Sequence, residues 1–180
     1  MRRLWILAIA TLLLLGAAGA QLVASPRDPV APLYDRKKVI SDWKKFYDRS
    51  RLGSTRACFY MTEHAQQTMA NILVQTMVED GLLEERHRAT AEASMFKDLG
   101  RDSNQFVIRF WHSYGKVIAP LYEGDILCDI QQGVATLIIE SDFGPRTYYL
   151  RQAEGIWKVD EILNLEEEIG ERRHGNREIR

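Results

Sequence analysis

The sequence has no excess of either charge. Its 180 residues include 24 Lys and Arg against 25 Asp and Glu, a formal net charge of −1. Arg2 and Arg3 are the only charged residues among the first 20, so the remainder carries 22 basic and 25 acidic residues. A nucleic-acid-binding domain is expected to show a basic patch or a strongly basic composition. The charge balance therefore argues against a nucleic-acid partner, and the basic run 36–38 indicates only a solvated helix face.

Motifs for catalysis and metal binding are equally scarce. The histidines, His64, His87, His112 and His174, lie far apart, and the two cysteines are not spaced as Cys-x-x-Cys. The clustered ligands of a zinc site are therefore missing. The chain also lacks a glycine-rich phosphate loop and a Gly-x-Ser-x-Gly elbow, and its Asp142–Gly144 tripeptide is a turn signal rather than a kinase motif. We predict no metal, no cofactor and no catalytic residue.

The one long hydrophobic run lies at the N-terminus. Met1–Arg3 is positively charged, Leu4–Leu15 is apolar except for one Thr, and Ala18–Ala20 fits the small-x-small cleavage pattern. We predict that residues 1–20 are a signal peptide cleaved after Ala20, which places the domain in the periplasm or outside the cell. The alternative is an uncleaved segment over 4–24, which could span a bilayer and anchor the domain in the inner membrane, facing the periplasm.

Cysteine is rare, with Cys58 and Cys128 as the only two. Two cysteines in an exported chain are more often paired than free. Cys58 is placed on the inner face of a predicted helix, and Cys128 shares a strand face with Ile126 and Ile130. We predict a disulfide between Cys58 and Cys128 that ties the helices to the sheet. Two buried free thiols are the alternative.

Proline is also sparse, and three of the five prolines fall within residues 21–34. This stretch is predicted to be a linker, because proline removes a backbone donor and disfavours helix. Apolar residues at helical spacing then predict three helices: one beginning at Asp35, one running from Ser54 or Thr55 toward Asp80, and one over 82–99. The last part, residues 164–180, is predicted to be a charged tail formed by a short, fraying helix.

After Gly100 the hydrophobic period changes from that of a helix to that of a strand. Phe106, Ile108 and Phe110 alternate with their neighbours, which predicts a strand over 106–111. Further strands are predicted at 116–122, 125–131, 134–141, 146–152 and 156–163, separated by turns at 123–124, 132–133, 142–145 and 154–155. Helices followed by an antiparallel meander indicate an α+β domain over residues 35–163. Each helix has a one-sided apolar face, so we expect three N-terminal helices packed in the concave face of a curled, cone-like antiparallel sheet.

The end of this region has the pattern of a hairpin with an aromatic return strand: Tyr148–Gln152 leads to a turn at Glu154–Gly155, and Ile156–Ile162 returns as an aromatic-basic-apolar strand containing Trp157. This pattern, after three predicted helices, resembles the last hairpin of the nuclear-transport-factor-two-like (cystatin-like) superfamily. The resemblance implies a concave sheet with a pocket. In enzymes of the superfamily, carboxylate, His or Tyr side chains in that pocket perform acid–base chemistry. No such catalytic motif matches here, so no catalytic residue is transferred.

We therefore expect an exported, non-catalytic binding or interaction module of the cell envelope. Its partner would be an apolar ligand or an envelope protein, and a membrane only if the N-terminal segment is retained. The alternatives are a membrane-anchored scaffold subunit and a small hydrolase or isomerase. Aromatic residues on the predicted strands are the candidate ligand-binding residues: Phe110, Trp111, Tyr122, Tyr148 and Trp157. The competing interpretation is that these aromatics only fill the core.

Overall fold

Helices precede a single antiparallel sheet in the computed structural model, which describes residues 31–177 and the side chains of residues 35–173. The helices are α1 (Ala31–Arg51), α2 (Glu63–Glu79), α3 (Arg88–Asp98), α4 (Gln105–Ile118) and α5 (Leu165–Arg177), with 3-10 turns at Thr55–Tyr60 and Glu85–His87. The strands are β1 (Tyr122–Gln131), β2 (Val134–Ser141), β3 (Gly144–Ala153) and β4 (Ile156–Ile162), in the order β1-β2-β3-β4. The predicted α+β class is confirmed, and the sheet is open rather than closed into a barrel. The predicted signal peptide lies outside the described residues.

Helix α1 begins earlier than predicted, at Ala31, so the last four residues of the predicted linker are helical. Pro32 is compatible with this start, because the first turn of a helix needs no donor from proline. The helix buries one stripe at helical spacing, formed by Val39, Trp43, Phe46 and Tyr47. The rings of Trp43 and Phe46 contact Tyr148 on β3, so α1 packs directly on the sheet.

The second predicted helix is divided in two. Met61 forms a parallel bridge with Val159 of β4, and the Thr62 amide donates to the Val159 carbonyl at 2.8 Å. These residues are therefore extended and cover part of the outer edge of β4. The Thr62 hydroxyl then accepts a hydrogen bond from the Ala65 amide at 3.2 Å and caps α2. The pairing with β4 is a tertiary contact that the helical period of the segment does not reveal.

The predicted strands over 106–111 and 116–122 are wrong, because residues 105–118 form α4. Asn104 caps this helix by accepting hydrogen bonds from the amides of Phe106 and Val107. The alternation of Phe106, Ile108 and Phe110 is short, whereas a longer helical pattern runs through the whole segment. That pattern is seen in the buried residues Val107, Phe110, Trp111, Val117 and Ile118. Four helices, rather than the predicted three, therefore precede the sheet within the described residues.

The four later strands and most of their turns are confirmed. Gln132 and Gly133 have φ of 50° and 79°, and Glu154 and Gly155 have φ of 54° and 78°. Two successive positive φ values are typical of the tight turns that join antiparallel strands. The predicted turn at 123–124 is wrong. Gly124, with φ of 80°, lies inside β1, where the register with β2 shifts between Glu123 and Leu127 as in a β-bulge.

The C-terminal segment is a docked helix. Leu165 and Ile169 of α5 are buried, and α5 packs against α4. Arg173 of α5 is also buried and forms ion pairs with Glu79 and Asp80 at the end of α2. Residues 165–177 therefore belong to the same compact unit as the sheet rather than to a free tail. Within the described part of the chain, no helix has the length and apolar character needed to cross a bilayer.

Candidate functional site

The predicted ligand-binding aromatics lie mainly in the core. Trp111 and Tyr148 have no exposed surface, Phe110 and Trp157 are buried, and Tyr122 is half-buried. The indole nitrogen of Trp111 donates to the Leu99 carbonyl at 3.4 Å, and the Tyr148 hydroxyl donates to the Ile118 carbonyl at 2.9 Å. Their polar atoms are therefore used inside the protein and are not directed at a ligand.

These aromatics fall into separate packed groups. Tyr122 and Tyr148 pack with Trp43 of α1 at ring-centroid distances of 5.8 and 5.4 Å. Phe110 and Trp111 contact each other on α4, with their ring centroids 6.0 Å apart. Their burial and mutual packing favour the interpretation that they fill the core. Phe110 also borders a shallow cleft between α2 and α4, whose rim includes the exposed Leu82 and Phe106.

The predicted disulfide is absent from the structure, in which Cys58 and Cys128 are both free. Cys58 belongs to the 3-10 turn that packs near β4, whereas Cys128 lies on β1 at the opposite edge of the sheet. Strand spacing of about 4.8 Å puts roughly 14 Å between the two outer strands, far beyond disulfide reach. Burial raises the pKa of the Cys58 thiol to about 11. Cys58 therefore has the character of a core thiol rather than of a reactive one.

A cleft of about 510 Å³ opens between α2, β4 and the start of α5. The break before α2 brings Met61 to β4, and the turn after β4 brings Leu165 and the first turn of α5 beside it. Met61, Met69 and Leu165 are almost completely buried and contribute apolar atoms to the lining. The full lining consists of Met61, His64, Ala65, Thr68, Met69, Asp160, Glu161, Ile162, Asn164, Leu165, Glu166 and Glu167.

The rim of this cleft is acidic. Asp160 and Glu161 come from β4, Glu166 and Glu167 come from the first turn of α5, and the lining contains no Lys or Arg. His64 contributes the one imidazole of the lining and is exposed near the start of α2. Two separate elements therefore bring four carboxylates around one apolar floor.

Asp160 is held in place by its neighbours. One carboxylate oxygen accepts from the Thr62 hydroxyl at 2.7 Å, and the other accepts from Nε of Arg151 at 2.7 Å. Burial raises the pKa of Asp160, but these two hydrogen bonds and the positive charge of Arg151 outweigh burial and leave the pKa below its ordinary value. The carboxylate is therefore kept ionised. It helps to join β4 to the start of α2 and to β3.

The cleft continues along α2 into a second depression of about 320 Å³. Glu166 borders both depressions, and the second one is lined by Ile72 and Gln75 of α2 and by Ile169 and Gly170 of α5. Together the two depressions form a groove between α2 and α5. We call this groove, from His64 at one end to Arg173 at the other, the α2–α5 groove.

Sequence patterns did not identify this site. His64 was one of four scattered histidines, and the acidic residues 166–168 have the ordinary composition of a helix N-terminus. Met61 and Met69 have helical spacing in the sequence, but Met61 lies in the extended segment before Thr62 and Met69 lies in α2, so they reach the cleft from different elements. No cluster of three or more His, Cys, Asp or Glu side chains suited to a metal ion occurs among the described residues.

Comparison with known proteins provides no relative whose functional residues could be transferred to this chain. No family model, no curated protein and no solved structure matches this chain. The functional assignment therefore depends on the α2–α5 groove itself.

Proposed function

We propose that this chain is an exported, non-catalytic binding or interaction module of the cell envelope, and that the 510 Å³ cleft of the α2–α5 groove is its binding site. The observation that carries the proposal is a cleft in which nearly buried apolar side chains form the floor and exposed polar side chains form the rim. Ligand sites are typically concave, about 300–1,000 Å³ in volume, mainly apolar, and furnished with a few polar groups that orient the ligand. The volume of the cleft lies in this range, and its lining combines a group of apolar side chains with polar ones that could orient a ligand.

The absence of catalysis in this proposal follows from the state of Asp160. A general acid or base works best when its pKa lies near the working pH and when it can reach a substrate proton. The pKa of Asp160 is instead lowered, and both of its oxygens already accept hydrogen bonds from Thr62 and Arg151. Its geometry suits a fixed negative charge in a binding site better than a proton carrier.

We extend the proposal to the architecture. The apolar stripe of α1 covers one face of the sheet, and the sheet contains register shifts at 123–127 and at 149–150. Bulges increase local twist and bend a sheet. We propose that the helices occupy its concave face in a cone-like arrangement, as in the nuclear-transport-factor-two-like superfamily.

Methionine methyl groups offer a direct test of binding. The chain has five Met residues, of which Met61 and Met69 line the cleft while Met95 lies away from it. We expect titration with Nile red, a neutral apolar probe, to shift the 13C-methyl signals of Met61 and Met69 and to leave the signal of Met95 unchanged. Thr68→Trp, which places a bulky ring at an exposed lining position, should abolish the shifts without loss of folding.

Two results would contradict this proposal. Shifts at Met77 alone would assign binding to the cleft beside Leu82 and Phe106, because Met77 lines that cleft. Turnover of p-nitrophenyl acetate or p-nitrophenyl phosphate that His64→Ala abolishes would show that the site is catalytic. The hydrolase alternative would then replace the binding module.

Export has its own test, namely the intact mass of the protein recovered from an envelope fraction. We expect a chain beginning at Gln21. A mass that retains residues 1–20 would contradict cleavage and favour the membrane-anchored scaffold.

A further inference from the structure

We infer that the occupant of the α2–α5 groove is a basic, amphipathic segment of a partner protein, with Lys or Arg side chains at the acidic rim and apolar side chains on the floor. This inference rests on the proposed function, because it assigns a partner to the same site. The negative charge of the cleft favours a partner that carries positive charge. The lining of the cleft carries four carboxylates and no Lys or Arg, although the chain as a whole is nearly neutral.

The helix dipole explains only part of this negative charge. Acidic residues are favoured in the first turn of any helix, which accounts for Glu166 and Glu167 at the start of α5. Glu161 lies on β4 instead. None of these three exposed carboxylates forms an ion pair with another described residue, whereas the adjacent Glu168 is paired with Arg146. The rim therefore presents unpaired charge from two elements across one cleft.

The floor suits apolar side chains of different shapes. Met61 and Met69 are flexible and polarizable, and methionine is common on surfaces that accept varied apolar partners. Ile162 and Leu165 complete the floor between them. A purely ionic ligand would leave this apolar surface in contact with water, so the rim and the floor together favour a segment that has both kinds of side chain.

The length of the groove favours an extended segment over a single side chain. Its lining on α2 runs from His64 in the cleft to Glu79 in the second depression. At about 1.5 Å per helical residue this stretch covers about 22 Å, which corresponds to about seven residues of extended chain. A segment in which basic and apolar residues alternate would direct one set to the rim and the other to the floor.

The test uses three unlabelled hexapeptides and the methyl signals of Met61 and Met69 in the full chain. The peptides alternate Leu with Lys, Leu with Glu, and Gly with Lys. We expect only the Leu–Lys peptide to bind. Its affinity should fall at least fivefold between 50 and 300 mM salt, because the rim is exposed and screened.

Two matched triple variants distinguish the effect of the rim carboxylates from the effect of the net charge of the protein. Glu161→Gln with Glu166→Gln and Glu167→Gln should weaken the Leu–Lys peptide at least tenfold. Glu123→Gln with Asp125→Asn and Glu140→Gln removes the same charge from exposed positions on β1 and β2 and should change the affinity less than twofold. Equal weakening by both sets would overturn the inference, since binding would then follow net charge alone.

The peptide series distinguishes this inference from the proposed function. If the Leu–Glu peptide binds as tightly as the Leu–Lys peptide, or if Nile red binds but none of the peptides does, the inference of a basic partner is overturned. The proposal that the cleft is a binding site would still stand. Equal binding of the Gly–Lys peptide would overturn the amphipathic partner in favour of a simple polycation. If neither Nile red nor any peptide shifts Met61 and Met69, both proposals fail.

Discussion

Helices α1 and α5 are both docked by buried side chains, but different kinds of contact hold them. Helix α1 covers the sheet with a continuous apolar stripe and one buried carboxylate, Asp42. Helix α5 buries Leu165 and Ile169, and its other anchors are two buried guanidinium groups, Arg146 from β3 and its own Arg173. Apolar burial does not depend on the protonation of side chains, whereas an ion pair is lost when one of its partners is neutralised. We therefore expect α5, one wall of the α2–α5 groove, to loosen more easily than α1, which is part of the core.

The contribution of α1 should be clearest at Trp43, which has no exposed surface and contacts the rings of Tyr47, Tyr122 and Tyr148. We expect Trp43→Ala to lower the free energy of unfolding by about 3–5 kcal/mol, because it removes a large buried ring and leaves a cavity. Urea unfolding followed by circular dichroism measures the loss. Lys44→Ala, at the exposed neighbouring position, should change stability by less than about 0.5 kcal/mol. If Trp43→Ala lowers the free energy of unfolding by less than about 1.5 kcal/mol, the conclusion that α1 is part of the core would be contradicted.

Asp42 joins α1 to the last hairpin of the sheet. Its carboxylate accepts hydrogen bonds from Lys45 at 2.8 Å, from Lys38 at 3.0 Å and from the amide of Trp157 at 3.1 Å. Burial raises the pKa of Asp42, but these contacts outweigh burial and leave the pKa below the ordinary value of 3.8. We expect Asp42→Asn to reduce stability by about 2 kcal/mol at pH 7, because a buried charge-assisted network is broken.

The pH dependence of this loss gives a second measurement. Because the pKa of Asp42 is lower in the folded protein, its contribution is fully present above about pH 4 and is lost as the pH falls through the folded-state pKa. The difference between wild type and Asp42→Asn should therefore shrink as the pH is lowered below about 4. Asp48→Asn, on the exposed side of α1, is the matched control and should change stability by less than about 0.5 kcal/mol at pH 7. A difference that stays constant as the pH is lowered would exclude ionised Asp42 as the cause.

The anchoring of α5 is tested at Arg146. This side chain donates to the carbonyls of Val117 and Leu163 and to the carboxylate of Glu168. We expect Arg146→Met, which keeps most of the side-chain volume, to cost about 1–2 kcal/mol and to accelerate hydrogen exchange in α5 more than in α1. Arg109→Met, which removes an exposed guanidinium from α4, is the control and should leave the exchange pattern of α5 unchanged. Equal acceleration in both helices would mean that α5 is not an independently loosened element.

The smallest expected effect is a gain in stability within α5. A Cβ added at Gly170 would meet no atom within 4 Å, and Gly170 lies inside the helix. Gly170→Ala should therefore raise stability by about 0.5–1 kcal/mol, because alanine loses less backbone entropy in a helix. The same substitution at Gly115 should be destabilising by about 1–3 kcal/mol, because its Cβ would collide with the backbone carbonyl of Ser50. Thermal unfolding of the two variants gives the sign of each change.

Local patterns predicted the sheet well and the segment before it poorly. The hairpins around Gln132–Gly133 and Glu154–Gly155 are recognisable because Gly133 and Gly155 tolerate positive φ and the flanking residues favour strands. Over residues 106–111 the alternation of three apolar residues predicts a strand, but so short an alternation also fits a helix. The cap at Asn104 and the apolar period that continues to Ile118 identify the segment as a helix.

The sequence by itself determined the α+β class and the antiparallel order of the last four strands, because both depend on periodicity or on turn chemistry close in the chain. Only the tertiary structure decided which residues form the candidate site. Met61, Asp160 and Glu166 meet because the chain pairs with the edge of β4 at Met61 and because α5 docks beside it. It also separated Cys58 from Cys128 by placing them at opposite edges of the sheet. These outcomes depend on which surfaces pack together over long sequence distances, and no local pattern of residues specifies that packing.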